Sequence, residues 1–236
     1  MAIGILTAME KEHDGIAALL TNREKVHDVF DYTVGRLGEH WIVLRQCGIG
    51  KVNAAVSTAE LIHVYEPRYV ISTGVAGGLS AGLGVMDVVV SERLVQHDFD
   101  LHMGYPRGEI QGLPRFFQGD AWLVDRAMAL GLPTLHKGLI ATGDQFITDE
   151  EARSDILAHF PDALAVDMES CAIAQVCHLY KTPFVSFRII SDTPGVENHQ
   201  AQYEDFWGEM AAQSFEVTRL FLTSIVSALP NDPLSL

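Results

Sequence analysis

The chain has 236 residues, 48% of them hydrophobic and 20% charged, and its 16 Lys and Arg against 31 Asp and Glu leave a formal net charge of −15. This length and balance predict one globular domain and exclude disorder, which needs low hydrophobicity with high charge. The acidic excess also excludes nucleic acid as the main partner, because phosphate backbones are held by clustered cations.

Along the chain, the apolar run of residues 2–6 reads as a first buried strand with no basic leader ahead of it. Met9, Glu10, Lys11 and Glu12 follow at once and supply either a carboxylate base or a solvated helix start. Residues 41–44 read as a second strand, and Val52, Ala55, Val56, Ala59 and Ile62 recur at the spacing of one helix face. A further strand at 69–72 leads into a charge-free stretch ending at Met86. Its five glycines favour turns over a membrane span. Within it, Gly74-Val75-Ala76-Gly77-Gly78 is expected to leave the strand, either as a tight turn of positive φ or as a nest of backbone N–H groups facing a ligand.

After a strand at 87–91, the weakly periodic stretch 96–119 is rich in Gly, Pro and aromatics and is the expected functional loop or interface. His97, Asp98, Asp100 and His102 in it are metal-ligand types, yet they lack a helical H-E-x-x-H frame and no metal is expected. Cys47, Cys171 and Cys177 form no C-x-x-C pair, so neither a disulfide framework nor a zinc site is expected, which suits a reducing cytoplasm. Residues 137–141 and 164–166 read as strands. Asp167-Met168-Glu169 then opens a helix with Ala172, Ile173, Val176 and Tyr180 on one face; its carboxylates either cap that helix or hold ligand hydroxyls at a strand's carboxyl end. The strand at 184–189 ends in Ser191-Asp192, where Asp192 is either a general acid kept protonated by apolar surroundings or the start of a turn. Residues 203–226 read as a closing helix. The alternation of strands and helices predicts an α/β three-layer αβα fold on a mixed sheet, with a single domain over 1–229 and a flexible tail over 230–236.

Seven short motifs occur in order: Ile3-Gly4-Ile5 with Ala8-Met9-Glu10 and Glu12; Gly48-Ile49-Gly50-Lys51-Val52; Thr73-Gly74 with Ala76-Gly77-Gly78; His97-Asp98; Gly143-Asp144 with Phe146-Ile147; Met168-Glu169; and Arg188 with Ser191-Asp192. Together they resemble the methylthioadenosine/S-adenosylhomocysteine nucleosidases of the nucleoside phosphorylase superfamily, from residue 3 to about 227. The resemblance implies a nucleoside phosphorylase-like fold with a twisted mixed sheet and a cytoplasmic homodimer without metal or organic cofactor. It implies hydrolysis of the N-glycosidic bond of 5′-methylthioadenosine and S-adenosylhomocysteine, and of 5′-deoxyadenosine, in methionine salvage.

Residue by residue, the resemblance makes Glu12 the carboxylate that orients and deprotonates the attacking water, with Arg188 beside it. It makes Asp192 the acid at adenine N7, next to Ser191, with Phe146 stacking on the base and the backbone of Ile147 reading its edge. Met168 and Glu169 become the ribose clamp. Met9, Ile49 and Tyr203 line the apolar walls, Tyr203 after a one-residue insertion, and Val75, Ala76 and Gly77 lie beside the substrate. The loop near Met103 and Tyr105 is expected to reach the 5′-substituent across the dimer interface.

Three positions depart from the pattern: Val75 stands where relatives often carry Ser, Asp167 where Glu is usual, and Gln111 where the dimer loop commonly has Pro. They leave the 5′-preference open. A purine nucleoside phosphorylase would need a phosphate arginine just upstream of the glycine run, where Ile71 and Ser72 stand. A futalosine-type nucleoside hydrolase is the alternative inside the family. A nucleoside-binding protein with a dead site would not need Glu12, Glu169 and Asp192 together.

Overall fold

The computed structural model describes residues 2–193, 199–207 and 211–230. In chain order the elements are β1 (Ile3–Thr7), α1 (Glu10–Ala17), β2 (Thr21–His27), β3 (Asp31–Leu37), β4 (His40–Gln46), α2 (Lys51–Tyr65), β5 (Tyr69–Gly78), β6 (Val88–Gln96), β7 (Phe117–Gln118), α3 (Ala121–Met128), β8 (Leu135–Thr142), α4 (Glu150–His159), β9 (Ala163–Asp167), α5 (Ser170–Tyr180), β10 (Phe184–Asp192), α6 (His199–Asp205) and α7 (Ala211–Ala228).

Side chains alternate across each strand, and the central strands bury both faces. Ile3, Ile5, Ile42, Leu44 and Ile71 face a core built with Ile16 of α1, Leu123 of α3 and Phe221 of α7. Ala2, Leu6, Val43 and Val70 face a second core with Leu61 of α2 and Ile173 of α5. A twisted mixed sheet between two helical layers results, the expected αβα architecture. Cys47, Cys171 and Cys177 are all free thiols.

The sheet does more than extend. Strand β10 pairs parallel with β5 and antiparallel with β6, while β6–β8–β9–β5 completes the circuit, so five strands close on themselves. Ala76, Val89, Ile140, Ala165 and Ile190, one residue from each strand, pack together within this ring. β1, β4, β3 and β2 continue outward from β5. Edge strand β2 is largely exposed and reads Thr-Asn-Arg-Glu-Lys-Val-His, a charged surface that discourages edge-to-edge pairing.

One expectation needs correction. The glycine run is not a turn after a strand ending at Ser72: β5 runs through Gly78, and none of Gly74, Gly77 and Gly78 has positive φ. The expected closing helix is represented by α6 and α7, with 208–210 outside the described residues, as is 231–236 of the expected tail. Stretch 96–119 is largely irregular, as expected of a loop, and only Phe117–Gln118 returns to pair with β6.

Candidate active site

Glu12 lies in the first turn of α1, directly after β1, and is almost fully buried. Its Oε2 accepts from Ala8 N at 2.9 Å and Met9 N at 3.0 Å, so the carboxylate satisfies orphan donors at the helix start. Oε1 accepts from Val75 N at 3.1 Å, which ties the helix to β5. Burial pushes the Glu12 carboxyl above its ordinary value, against the charge of Arg188 and the three amides that favour the anion.

Arg188, in β10, is buried beneath the cavity. Its Nε lies 2.8 Å from Asp167 Oδ2 and 3.0 Å from Ser170 Oγ; its Nη2 lies 3.0 Å from Ser72 Oγ and 3.7 Å from Glu169 Oε2. Burial alone would lower its pKa, but Asp167, Glu169 and Glu12 outweigh that and raise it. Asp167 is further held by Thr142 Oγ1 at 2.6 Å and by the amide and hydroxyl of Ser170. Antiparallel pairing of Gly77 with Val166 turns the end of β9 back along β5, which delivers Asp167 and Glu169 to the level of Gly74 and Val75. Glu169 accepts from Gly50 N at 2.9 Å, and burial, only partly offset by Arg188, pushes its carboxyl up to about 7.

On the opposite wall, Asp192 ends β10 where its register against β5 shifts between Ile190 and Asp192. Such a bulge re-aims a strand-end side chain. Ser191 Oγ lies 2.7 Å from Asp192 Oδ1. The Phe146 and Tyr203 rings meet edge-on with centroids 5.6 Å apart, and Tyr203 OH lies 3.6 Å from Met9 Sδ.

These groups line one open cleft. Glu12, Glu169 and Asp192 line it with Met9, Ile49, Val75, Ala76, Gly77, Phe146, Ile147, Met168, Ser191 and Tyr203, so all expected site residues except Arg188 reach its surface. No Lys, Arg or His side chain lines the cleft among the described residues. The chemistry available is therefore carboxylate acid–base work on a ligand with a flat apolar part and hydroxyl groups.

Sequence reading missed the support beneath the cleft: Ser72, Thr142, Ser170 and Ser186 are unremarkable in sequence, and only the packing of β5, β8, α5 and β10 gathers them at Arg188 and Asp167. Gly74 was legible as a glycine but for the wrong reason. A Cβ there would collide with the Glu12 carboxylate and the Arg188 guanidinium, so the demand is close approach and not backbone torsion. The metal-ligand types of the 96–119 loop do not converge: Asp98 pairs with Lys51, Asp100 with His102, and His97 is buried against Gly143.

The model of the phosphorylase superfamily matches residues 2–223. A 5′-methylthioadenosine/S-adenosylhomocysteine nucleosidase of Hydrogenovibrio crunogenus is 40% identical over 237 residues, covering 96% of this chain and all of that protein. The structure of such a nucleosidase from S. pneumoniae with the transition-state inhibitor MT-ImmA superposes with a TM-score of 0.89 at 33% identity, over 95% of this chain and all of that one. The futalosine hydrolase of Helicobacter pylori superposes with a TM-score of 0.88 at 30% identity, over 97% and 98% of the two chains.

Proposed function

Because the chain belongs to the phosphorylase superfamily, among the 5′-methylthioadenosine/S-adenosylhomocysteine nucleosidases, we propose that it hydrolyses the N-glycosidic bond of those two nucleosides to adenine and the 5′-substituted ribose. The observation that carries this reading is three buried carboxyl groups, Glu12, Glu169 and Asp192, around one apolar-walled cleft.

Breaking the C1′–N9 bond leaves positive charge on the ribose and sends an electron pair into the departing base. Asp192 gives a proton to adenine N7, so the base leaves neutral, with Ser191 holding the acid's other oxygen. Phe146 and Ile147 bind the base and Met168 packs on the ribose. Glu169 accepts from the sugar hydroxyls and opposes the developing cation. Glu12 takes a proton from the water whose oxygen bonds to C1′, and burial, by raising its carboxyl, makes it a stronger base than an exposed glutamate. Arg188 touches no bound group in this scheme and instead fixes Asp167 and Glu169 from below.

Water is preferred over phosphate as nucleophile because a phosphate needs cations at the cleft surface. Arg188 is engaged by two carboxylates, and Val75 offers no hydroxyl. Adenine release from methylthioadenosine should be the same with and without inorganic phosphate, with free methylthioribose as the sugar product; a phosphate-stimulated rate and a sugar 1-phosphate would sink the hydrolase reading. The futalosine hydrolase likeness makes a futalosine-type nucleoside the second substrate to assay.

The working unit is a homodimer. Ile49 at the cleft, Val52 and Val56 on α2 and Met103 and Tyr105 in the 96–119 loop are large apolar side chains left exposed, which supports a second copy covering them. No described helix is long and apolar enough to cross a membrane, and a cytoplasmic enzyme of methionine salvage suits the free thiols and the substrates.

A further inference from the structure

The backbone amide held to Glu169 belongs to Gly50, in the turn between β4 and α2. Gly50 has φ 96° and ψ 160°, a conformation open to glycine but rarely adopted by side-chain-bearing residues, so the turn depends on glycine at this position. The next amide, Lys51 N, donates to Asp144 Oδ1 at 2.7 Å. Lys51 Nζ reaches Asp98 Oδ1 at 2.6 Å and stands 3.7 Å from Asp144 Oδ2. Asp98 Oδ2 in turn accepts from Asp144 N at 2.9 Å. Three segments distant in sequence, the Gly50 turn, the end of β6 and the segment after β8, thus meet in one closed cluster.

We propose that Asp98, Lys51 and Asp144 are positioning residues that hold the Gly50 amide against Glu169 and so fix the carboxylate that receives the ribose hydroxyls. The inference rests on reading Glu169 as the ribose carboxylate. Lys51 is half-buried and Asp98 lies at the surface, so the cluster holds the turn through its shared hydrogen bonds to two backbone amides as much as through the ion pair. At Asp98, burial raises the carboxyl, but the Lys51 hydrogen bond, the Asp144 amide and the Lys51 charge outweigh it and hold the group below its ordinary value. Glu169 also faces Arg188 from β10, Asp167 from β9 and Glu12 from α1, and none of these is altered by the variants below.

The test compares Asp144→Ala, which removes the acceptor for Lys51 N, with Asp144→Asn, which keeps an oxygen there. Lys51→Met is the second route, removing the charge but keeping the stem. In the full chain with methylthioadenosine, Asp144→Ala and Lys51→Met should raise KM about 5- to 10-fold, the scale of one hydrogen bond, with a smaller change in kcat. The acid limb of kcat/KM should move up by about half to one pH unit, because the Gly50 amide favours the charged form of Glu169. Asp144→Asn should recover most of both losses, and free adenine, which lacks the ribose, should bind as in the parent. A purely structural ion pair would lower Tm and the active fraction without moving KM or the pH profile, and that result overturns the proposal. So does Asp144→Asn behaving like Asp144→Ala. Glu169→Gln separates the two layers: if it raises KM while the cluster variants are silent, the cluster is wrong; if it too is silent, the ribose assignment is wrong and the proposal falls with it.

Discussion

A carboxyl group serves at a glycosidic bond according to when it holds its proton, and burial raises the carboxyls of Glu12 and Glu169. Asp192 is proposed to act on the leaving base, so its contribution belongs to the transition state. Asp192→Asn keeps the shape and the place beside Ser191 while removing acidity, and should lower kcat and kcat/KM together by about 10²-fold or more. Steady-state kinetics on methylthioadenosine with a folded variant checks this; a near-parental kcat would send the search for the acid elsewhere. Glu169 permits a test independent of turnover. Its folded-state pKa of about 7 lies above the ordinary 4.5, so the folded state binds the proton more tightly than the unfolded chain. The stabilisation is present below about pH 4.5 and is lost as pH rises through 7. Glu12 acts in the same direction. The Tm of the ligand-free protein should therefore fall less steeply between pH 5 and 7 in Glu169→Gln than in the parent. Parallel Tm profiles would show that the carboxyl is not buried as described.

Among elements, β5 carries the most information about how the site is built. Its first half was legible as an apolar run, but the reading stopped at Ser72 because glycines break isolated strands. Ring closure reverses that logic. β5 must pass under Glu12 and Arg188 at Gly74 and close against Ile190 at Gly78, and at Gly74 a side chain would occupy the space of the two charged groups. Gly74→Ala should keep the far-UV circular dichroism of the parent yet lower kcat/KM by about 10²-fold, the cost expected when reacting groups are displaced by about 1 Å. A fully active Gly74→Ala enzyme would mean that Glu12 and Arg188 need not sit where they do. Strand β2 was missed for a related reason: it buries almost nothing, so hydrophobic periodicity is silent, and only hydrogen bonding to β3 makes it a strand.

At the level of the whole molecule, the exposed apolar residues of α2 and the 96–119 loop set the expected assembly. Exposed Val52 and Val56 share a helix whose first turn borders the site, and Met103 is exposed on the 96–119 loop. Sedimentation at micromolar concentration should give a dimer, and Val56→Asp should shift it toward monomer by placing a charge in an apolar contact. A parent that sediments as a monomer would remove the partner from the 5′-pocket.

The sequence alone determined the alternation of buried strands and amphipathic helices, hence the αβα class, because side-chain periodicity is a local property. It also put Glu12, Glu169 and Asp192 shortly after apolar runs, where α/β folds place ligands, while the roles proposed for them came from the resemblance of the seven motifs taken together. Tertiary structure alone decided how these carboxyl groups are tuned and held. The closure of β5, β9, β8, β6 and β10 into a ring, the seating of Arg188 between Asp167 and Glu169, and the meeting of Gly50 with Glu169 join residues up to 119 positions apart. Burial and long-range hydrogen bonding depend on the packed whole, and no window of sequence contains them.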